Sequence, residues 1–95
     1  MVKILIITDD ISGWADSICQ EVREFSKKII HRGQCLIQSN SLFYFDIRQN
    51  INENFRGQRY TSIIIDKAIS KELIDKILVP AINPSGLIYT GKGRF

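Results

Sequence analysis

The sequence predicts an α/β fold, in which a small open sheet of parallel strands is covered by helices on both faces. Two Ile-rich runs, in residues 3–8 and 60–66, indicate the sheet. They lack the apolar–polar alternation of a half-exposed strand, so both sides of each strand are expected to be covered. Each run is followed by a segment with helical spacing. Helices between strands are the crossovers that parallel strands require.

The segment after the first strand is predicted to be a long helix. Its apolar residues recur at steps of four, four, three and four, and would share one stripe: Trp14, Ile18, Val22, Phe25 and Ile29. Asp10 or Ser12 can cap the start, because either side-chain oxygen accepts from free backbone N–H groups. Gly33 would end the helix, and the basic residues before it suit the negative end of the helix dipole: Lys27, Lys28, His31 and Arg32.

The middle of the chain is predicted to form a second strand and a short helix. The strand is "QCLIQSN", residues 34–40. The next stretch, "SLFYF", is either a loop packed on the core or a brief extension of that strand. Ile47, Ile51 and Phe55 are spaced by four, which predicts a short helix that ends at Gly57.

The last third of the chain is predicted to be strand, helix and strand. The third strand ends in an Ile triplet and Asp66. Ser70 then caps a helix that Pro80 or Pro84 terminates. "GLIYTG" is the fourth strand. With right-handed crossovers, these four strands are expected in the order 2-1-3-4, as in flavodoxin-like folds, with strands 2 and 4 at the edges.

Composition indicates one domain over residues 1–95, since 44% of the residues are hydrophobic and 24% are charged. The net charge of +3 permits an acidic partner but is below what nucleic-acid binding usually shows. Cys19 and Cys35 are expected to be buried thiols. The sequence predicts neither a signal peptide nor a membrane span, so we expect a cytoplasmic protein without membrane contact.

Charged and polar residues follow the predicted strands and would meet at the carboxyl edge of the sheet. They are Thr8, Asp9, Asp10, Ser39, Asn40, Asp66, Lys67, Thr90 and Lys92. Carboxylates brought together repel one another unless a cation lies between them, so Asp9, Asp10 and Asp66 predict a Mg²⁺ site. Lys67, Thr90 and Lys92 are the other candidate binding residues. The alternative is that these acidic residues only cap a helix and end strands.

This pattern resembles the receiver domains of response regulators. Receivers carry an acidic pair after the first strand, here Asp9 and Asp10, and a phospho-accepting aspartate after the third, here Asp66. Thr90 would match the hydroxyl residue after the fourth strand, and Lys92 only loosely matches the family's lysine. The resemblance covers the first three strands and lacks the proline and glycine that usually follow the phospho-accepting residue. It implies a Mg²⁺-dependent phospho-acceptor.

We expect a non-enzymatic regulatory or adaptor module that acts by protein–protein contact, without a resident cofactor. A homodimer through an edge strand is a further expectation. One alternative is the Mg²⁺-dependent phosphoryl-transfer or phospho-acceptor site. The other is a nucleic-acid-binding accessory protein that uses basic residues of the first or second helix: Lys27, Lys28 and Arg32, or Arg48, Arg56 and Arg59. His31 is the single histidine, so a histidine-based catalytic site is not expected.

Overall fold

The computed structural model describes residues 2–22, 25–31, 33–39 and 42–90. They form an α/β fold with one mixed, six-stranded sheet in the order β2-β3-β4-β1-β5-β6. The strands are β1 Val2–Thr8, β2 Phe25–His31, β3 Gln34–Ser39, β4 Phe43–Arg48, β5 Tyr60–Asp66 and β6 Ile82–Thr90. The helices are α1 Ile11–Glu21, a 3-10 helix Glu53–Gly57, and α2 Lys71–Leu73 continuing through a π-helix Ile74–Leu78 into α3 Val79–Ala81. We call this last run helical segment 71–81.

The central strand β1 is covered on both faces, as its sequence predicts. It pairs in parallel with β4 on one side and with β5 on the other. Leu5, Ile6 and Ile7 are fully buried. Leu5 and Ile7 belong to a core that includes helical segment 71–81, and Ile6 belongs to a core that includes α1. The apolar run is therefore continuous because each face of β1 packs against a different helix.

The prediction of a long first helix is wrong beyond Glu21. Val22 is already extended, with φ −105° and ψ 134°. Phe25 and Ile29 lie in β2, in register with Ser39 and Cys35 of β3. The predicted basic helix end also falls in this strand, at Lys27, Lys28 and His31, while Arg32 lies outside the described residues.

A spacing of four explains this error, because residues four apart share a face in a strand as well as in a helix. The β-branched pair Ile29–Ile30 then favours the strand. Gly33 does take the left-handed conformation, with φ +86°, but in the turn between β2 and β3. Because this turn is short, β2 and β3 are antiparallel. The sheet is therefore mixed and not, as was predicted, purely parallel.

The predicted order 2-1-3-4 of four parallel strands is also wrong in the position and direction of predicted strand 2. On the side away from β5, β1 pairs with β4, which begins in the stretch predicted as a loop or a strand extension and continues into residues predicted as a helix. The predicted second strand, β3, lies one position further out and runs antiparallel to β4. Ile47 is consequently a fully buried strand residue, and the short helix is reduced to the 3-10 turn Glu53–Gly57.

Several local predictions for the helices and the other strands are confirmed. Asp10 caps α1, where its Oδ1 accepts from Gly13 N at 3.1 Å. Ser70 caps helical segment 71–81, where its Oγ accepts from Leu73 N at 3.3 Å. The third and fourth predicted strands are β5 and β6, and they follow β1 in the expected order. Of the two prolines expected to terminate helical segment 71–81, Pro80 lies inside its last turn, which continues to Ala81, and Pro84 lies in β6.

Two buried clusters, one on each side of the sheet, form the core. The cluster between α1 and the sheet consists of Ile6, Trp14, Ala15, Ile18, Cys35, Ile37, Phe45 and Ile47. The cluster between helical segment 71–81 and the sheet consists of Leu5, Ile7, Phe55, Tyr60, Ile63, Ile65, Ile77, Leu78 and Ala81. Of the two cysteines, Cys35 is buried and Cys19 is half-buried. Over the described ranges, no helix combines the length and apolar character that crossing a membrane requires.

Gly86 and Gly57 offer a test of the packing between β5 and β6. A Cβ at Gly86 would lie 2.6 Å from Thr61 O and 2.6 Å from Ile82 Cγ1, whereas a Cβ at Gly57 would meet nothing within 4 Å. We expect Gly86→Ala to lower the free energy of unfolding by about 1–3 kcal/mol, because backbone must move. Gly57→Ala, the matched control, should stay within about 0.5 kcal/mol of the original chain. Urea denaturation measures both, and equal stabilities would contradict the close approach.

Candidate functional site

The crevice between β1 and β5 lies at the point where the order of the strands in the sheet reverses. From β1 the chain passes through α1 towards β2, β3 and β4, and from β5 it passes through helical segment 71–81 to β6. The two neighbouring strands thus send their connections to opposite sides. In open α/β sheets, ligands bind at the carboxyl ends of strands at such a point. Thr8 and Asp66, the last residues of β1 and β5, are in register there.

The structure gathers most of the predicted site residues at this edge. Thr8 ends β1 and is followed by Asp9 and Asp10, Asp66 ends β5 and is followed by Lys67, and Thr90 ends the parallel neighbour β6. Ser39 does not join them, because β3 is antiparallel and ends at the opposite edge. Asn40 and Lys92 lie outside the described residues.

Asp66 joins three elements through its carboxylate. Its Oδ2 accepts from the Thr8 hydroxyl at 3.0 Å and from the Trp14 indole N–H at 2.7 Å. The Thr8 oxygen in turn accepts from Asp10 N at 3.0 Å. Trp14 was predicted only as a core residue, and it is 2% exposed. A buried indole N–H usually requires an acceptor, so this contact could have been anticipated from the need to pair it.

Lys67 spans the edge from β5 to the residues that follow β1 and β4. Its Nζ donates to Asp9 Oδ1 at 2.7 Å and to Gln49 O at 2.9 Å. The hydrogen bond from Lys67 is the main reason that the pKa of Asp9 is below its ordinary value. An aspartate with a lowered pKa stabilises the fold at pH values above its ordinary pKa, and this contribution is lost as pH falls through the folded-state pKa. Because the Asp9 side chain is 65% exposed, solvent screening keeps the effect small.

The three predicted metal ligands have different structural roles. Asp66 holds Thr8 and Trp14, Asp9 pairs with Lys67, and Asp10 caps α1. Within the described ranges, no group of three His, Cys, Asp or Glu side chains is arranged to hold a metal ion. The Mg²⁺ site therefore stays a prediction, and it would require Asp66 or Asp9 to exchange present partners.

Two adjoining hollows open at this edge, and together we call them the carboxyl-edge groove. The larger, of about 740 Å³, is lined by Asp9, Ile65, Asp66, Lys67, Ala68, Ile69, Ile74 and Thr90. The smaller, of about 270 Å³, is lined by Gln49, Asn50, Ile51, Lys67, Ile69, Leu73 and Ile77. They share Lys67 and Ile69. The walls are mostly aliphatic, and the polar groups are concentrated around Lys67.

A second polar cluster, centred on Asp46 of β4, escaped the sequence analysis. Asp46 is 4% exposed and accepts from Gln34 Nε2 at 3.2 Å, from Arg48 Nε at 3.1 Å and from the Tyr60 hydroxyl at 3.2 Å. The Arg48 guanidinium also lies 4.9 Å from the centre of the Phe55 ring. Arg48 is thus paired within the protein rather than presented for phosphate binding.

The predicted nucleic-acid set around the second helix is dispersed. Arg48 pairs with Asp46, and Arg59 is exposed in the turn before β5, with φ +53°. The Arg56 side chain lies outside the part of the structure that is described. For the cluster centred on Asp46, the one sequence signal was a lone acidic residue between aromatic and aliphatic residues of a strand, because buried carboxylates are normally paired.

Tyr60 predicts a loss of stability at alkaline pH. Burial and the negative charge of Asp46 raise the pKa of Tyr60 well above its usual range. A raised tyrosine pKa stabilises the fold fully below the unfolded value near 10, and this contribution is lost as pH rises further. Raising the pH from about 10 to 11 should therefore lower the free energy of unfolding of Tyr60→Phe by about 1 kcal/mol less than that of the original chain.

Urea denaturation at several pH values measures this difference. Tyr89→Phe is the matched control, because Tyr89 is exposed on β6, and it should follow the original chain. If both variants respond to alkaline pH as the original chain does, the assigned environment of Tyr60 is wrong.

Comparison with known proteins assigns no family. No protein-family model matches the chain, and no curated protein is significantly similar to it in sequence. The resemblance to receivers therefore stays at the level of Asp9, Asp10, Asp66 and Thr90. Function has to be argued from the groove and from the surfaces of the sheet.

Proposed function

We propose that this protein is a non-enzymatic regulatory or adaptor module that binds a segment of a partner protein in the carboxyl-edge groove. The observation that carries the proposal is the groove itself, two hollows with mostly aliphatic walls that meet at Lys67 and Ile69. It lies where open α/β sheets bind their ligands. A chain with two cysteines, too few for a disulfide scaffold, suits the reducing cytoplasm, where we place the protein.

The lining of the groove suits apolar side chains of a peptide. Ile69 lines both hollows, Ile74 lines the larger one, and Leu73 lines the smaller one while remaining 40% exposed. An aliphatic side chain of a partner could enter each hollow and remove this surface from water. Polar groups beside the walls, such as Gln49 and Thr90, can pair with peptide backbone. Concave apolar sites with a few polar groups are the usual binding sites of proteins.

The charged groups of the groove support binding rather than catalysis. Lys67 and Asp9 neutralise each other across 2.7 Å, and the Asp66 Oδ2 atom accepts from two donors on α1 and β1. A general base or nucleophile needs a pKa and a geometry prepared for its reaction. Groups that hold the fold together in this way are better suited to shaping a surface.

A matched pair of variants on helical segment 71–81 tests the proposal. Leu73 lines the groove, whereas Val79 lies on the same segment, is 48% exposed and lines neither hollow. Random-peptide display against the protein should select peptides that share spaced apolar residues. We expect Leu73→Ser to weaken the binding of these peptides at least about tenfold, equivalent to about 1.4 kcal/mol, and Val79→Ser to leave it unchanged.

Calorimetry with synthetic versions of the selected peptides measures the affinities at low and raised salt. Apolar contacts should persist as salt rises, because counterion release does not drive them. Failure to select any peptide, or equal affinities for Leu73→Ser and Val79→Ser, would contradict the proposal.

A Mg²⁺-dependent phospho-acceptor, as the resemblance to receiver domains implies, is the second candidate. It is favoured by one observation, that Asp66, Lys67 and Thr90 line the same hollow. Trp14 provides a direct probe, since it is the single tryptophan of the chain and its indole donates to Asp66. A metal ion on that carboxylate would displace or weaken the hydrogen bond and alter the fluorescence of Trp14.

Magnesium titration separates the two candidates. The adaptor proposal expects Mg²⁺ to leave both Trp14 fluorescence and the melting temperature unchanged. The second candidate expects both to change in the original chain and in Asp16→Asn, a control at an exposed acid of α1, but not in Asp66→Asn. That second pattern would replace the adaptor proposal with a metal-dependent site.

A further inference from the structure

β6 forms one edge of the sheet. It pairs with β5 alone among the described strands, so the backbone N–H and C=O groups along its outer side have no strand partner there. Such an edge is a template for pairing with another chain. The first half of β6 contains Pro84, which lacks the backbone N–H. The second half, residues 86–90, has no proline and can form a regular ladder.

One face of β6 is apolar and uncovered. Leu87 is 59% exposed and Tyr89 is 51% exposed. They are in register with Ser62 and Ile64 of β5, on the side of the sheet where α1 packs over β3 and β4. Ile88, on the other side, packs against the core beneath helical segment 71–81. The edge therefore combines an unpaired backbone with two exposed apolar side chains.

The two edges of the sheet differ in charge. β6 contains no charged residue along Ile82–Thr90. The opposite edge, β2, contains Lys27, Lys28 and His31. Charged residues on an edge strand oppose its pairing with another strand. The β6 edge, which has no charged residue along Ile82–Thr90, can face an identical strand without bringing like charges together.

We infer that the partner of this edge is a second copy of the chain, paired β6 to β6 in the antiparallel sense about a two-fold axis. A register centred on Ile88 places Leu87 of each copy opposite Tyr89 of the other. Aliphatic–aromatic pairs of this kind stabilise antiparallel strands. The two-fold contact uses one edge of each molecule and leaves the lysine-bearing β2 edges outside, so the assembly closes as a dimer. The inference is independent of the proposed groove function.

Charge substitution on β6 tests the dimer. We expect the mass measured by analytical ultracentrifugation to approach twice the chain mass of 10.9 kDa as protein concentration rises. Leu87→Lys should raise the dimer dissociation constant at least about tenfold, because it introduces a charge at the pairing edge. Val79→Lys, at an exposed position of helical segment 71–81, is the control and should dimerise like the original chain.

The register has its own test. Tyr89→Glu should also weaken the dimer by itself, and mixing it with Leu87→Lys should restore association, because the register places the new carboxylate opposite the new ammonium group. Circular dichroism checks that each variant is folded. A monomer at all concentrations, or a dimer that both variants leave intact, would overturn the inference. Leu73→Ser should not affect the dimer, so failure here is distinguishable from failure of the groove proposal.

Discussion

The carboxylate of Asp66 holds the carboxyl edge of the sheet together. Through one oxygen it accepts from the Thr8 hydroxyl of β1 and from the Trp14 indole of α1, so it sets both the end of the central strand and the position of the helix that follows. Asp10 adds to this arrangement, since its N–H donates to Thr8 and its side chain caps α1. Of the two aspartates after β1, Asp10 thus starts the helix and Asp9 pairs with Lys67, so the groove beside them is shaped by groups already bonded to one another.

The parts of the fold that follow from local chemistry were predictable from the sequence. A strand buried on both faces has to be apolar throughout, which identified β1 and β5, and side-chain caps identified the starts of α1 and helical segment 71–81. The strand β3 was also predicted, whereas Phe25–His31 and Phe43–Arg48 were not predictable in this way. Apolar residues four apart fit a helix and a strand equally, and only tertiary pairing makes these two stretches into β2 and β4.

The ambiguity between helix and strand also limited the prediction of the candidate site. Residues at the ends of β1, β5 and β6 were placed correctly, because these strands are parallel and end at one edge. Ser39 was placed at the wrong edge, since the direction of β3 depends on the turn at Gly33. Trp14 and Asp46 were missed for another reason. Their roles depend on hydrogen-bond partners more than ten residues away, and spacing along the chain carries no record of such pairs.

Pairing of charges inside the fold also affects how this protein can recognise others. Lys67 pairs with Asp9 at the carboxyl edge, and Arg48 pairs with Asp46 in β4, so both positive groups already have a carboxylate partner. Ions or phosphates would have to compete with these contacts, whereas apolar groups would not. Exposed aliphatic and aromatic side chains lie elsewhere, and they include Leu73 beside the groove and Leu87 and Tyr89 on the β6 edge. Recognition by this molecule is therefore expected to depend on burial of apolar surface, with the paired charges defining where that surface ends.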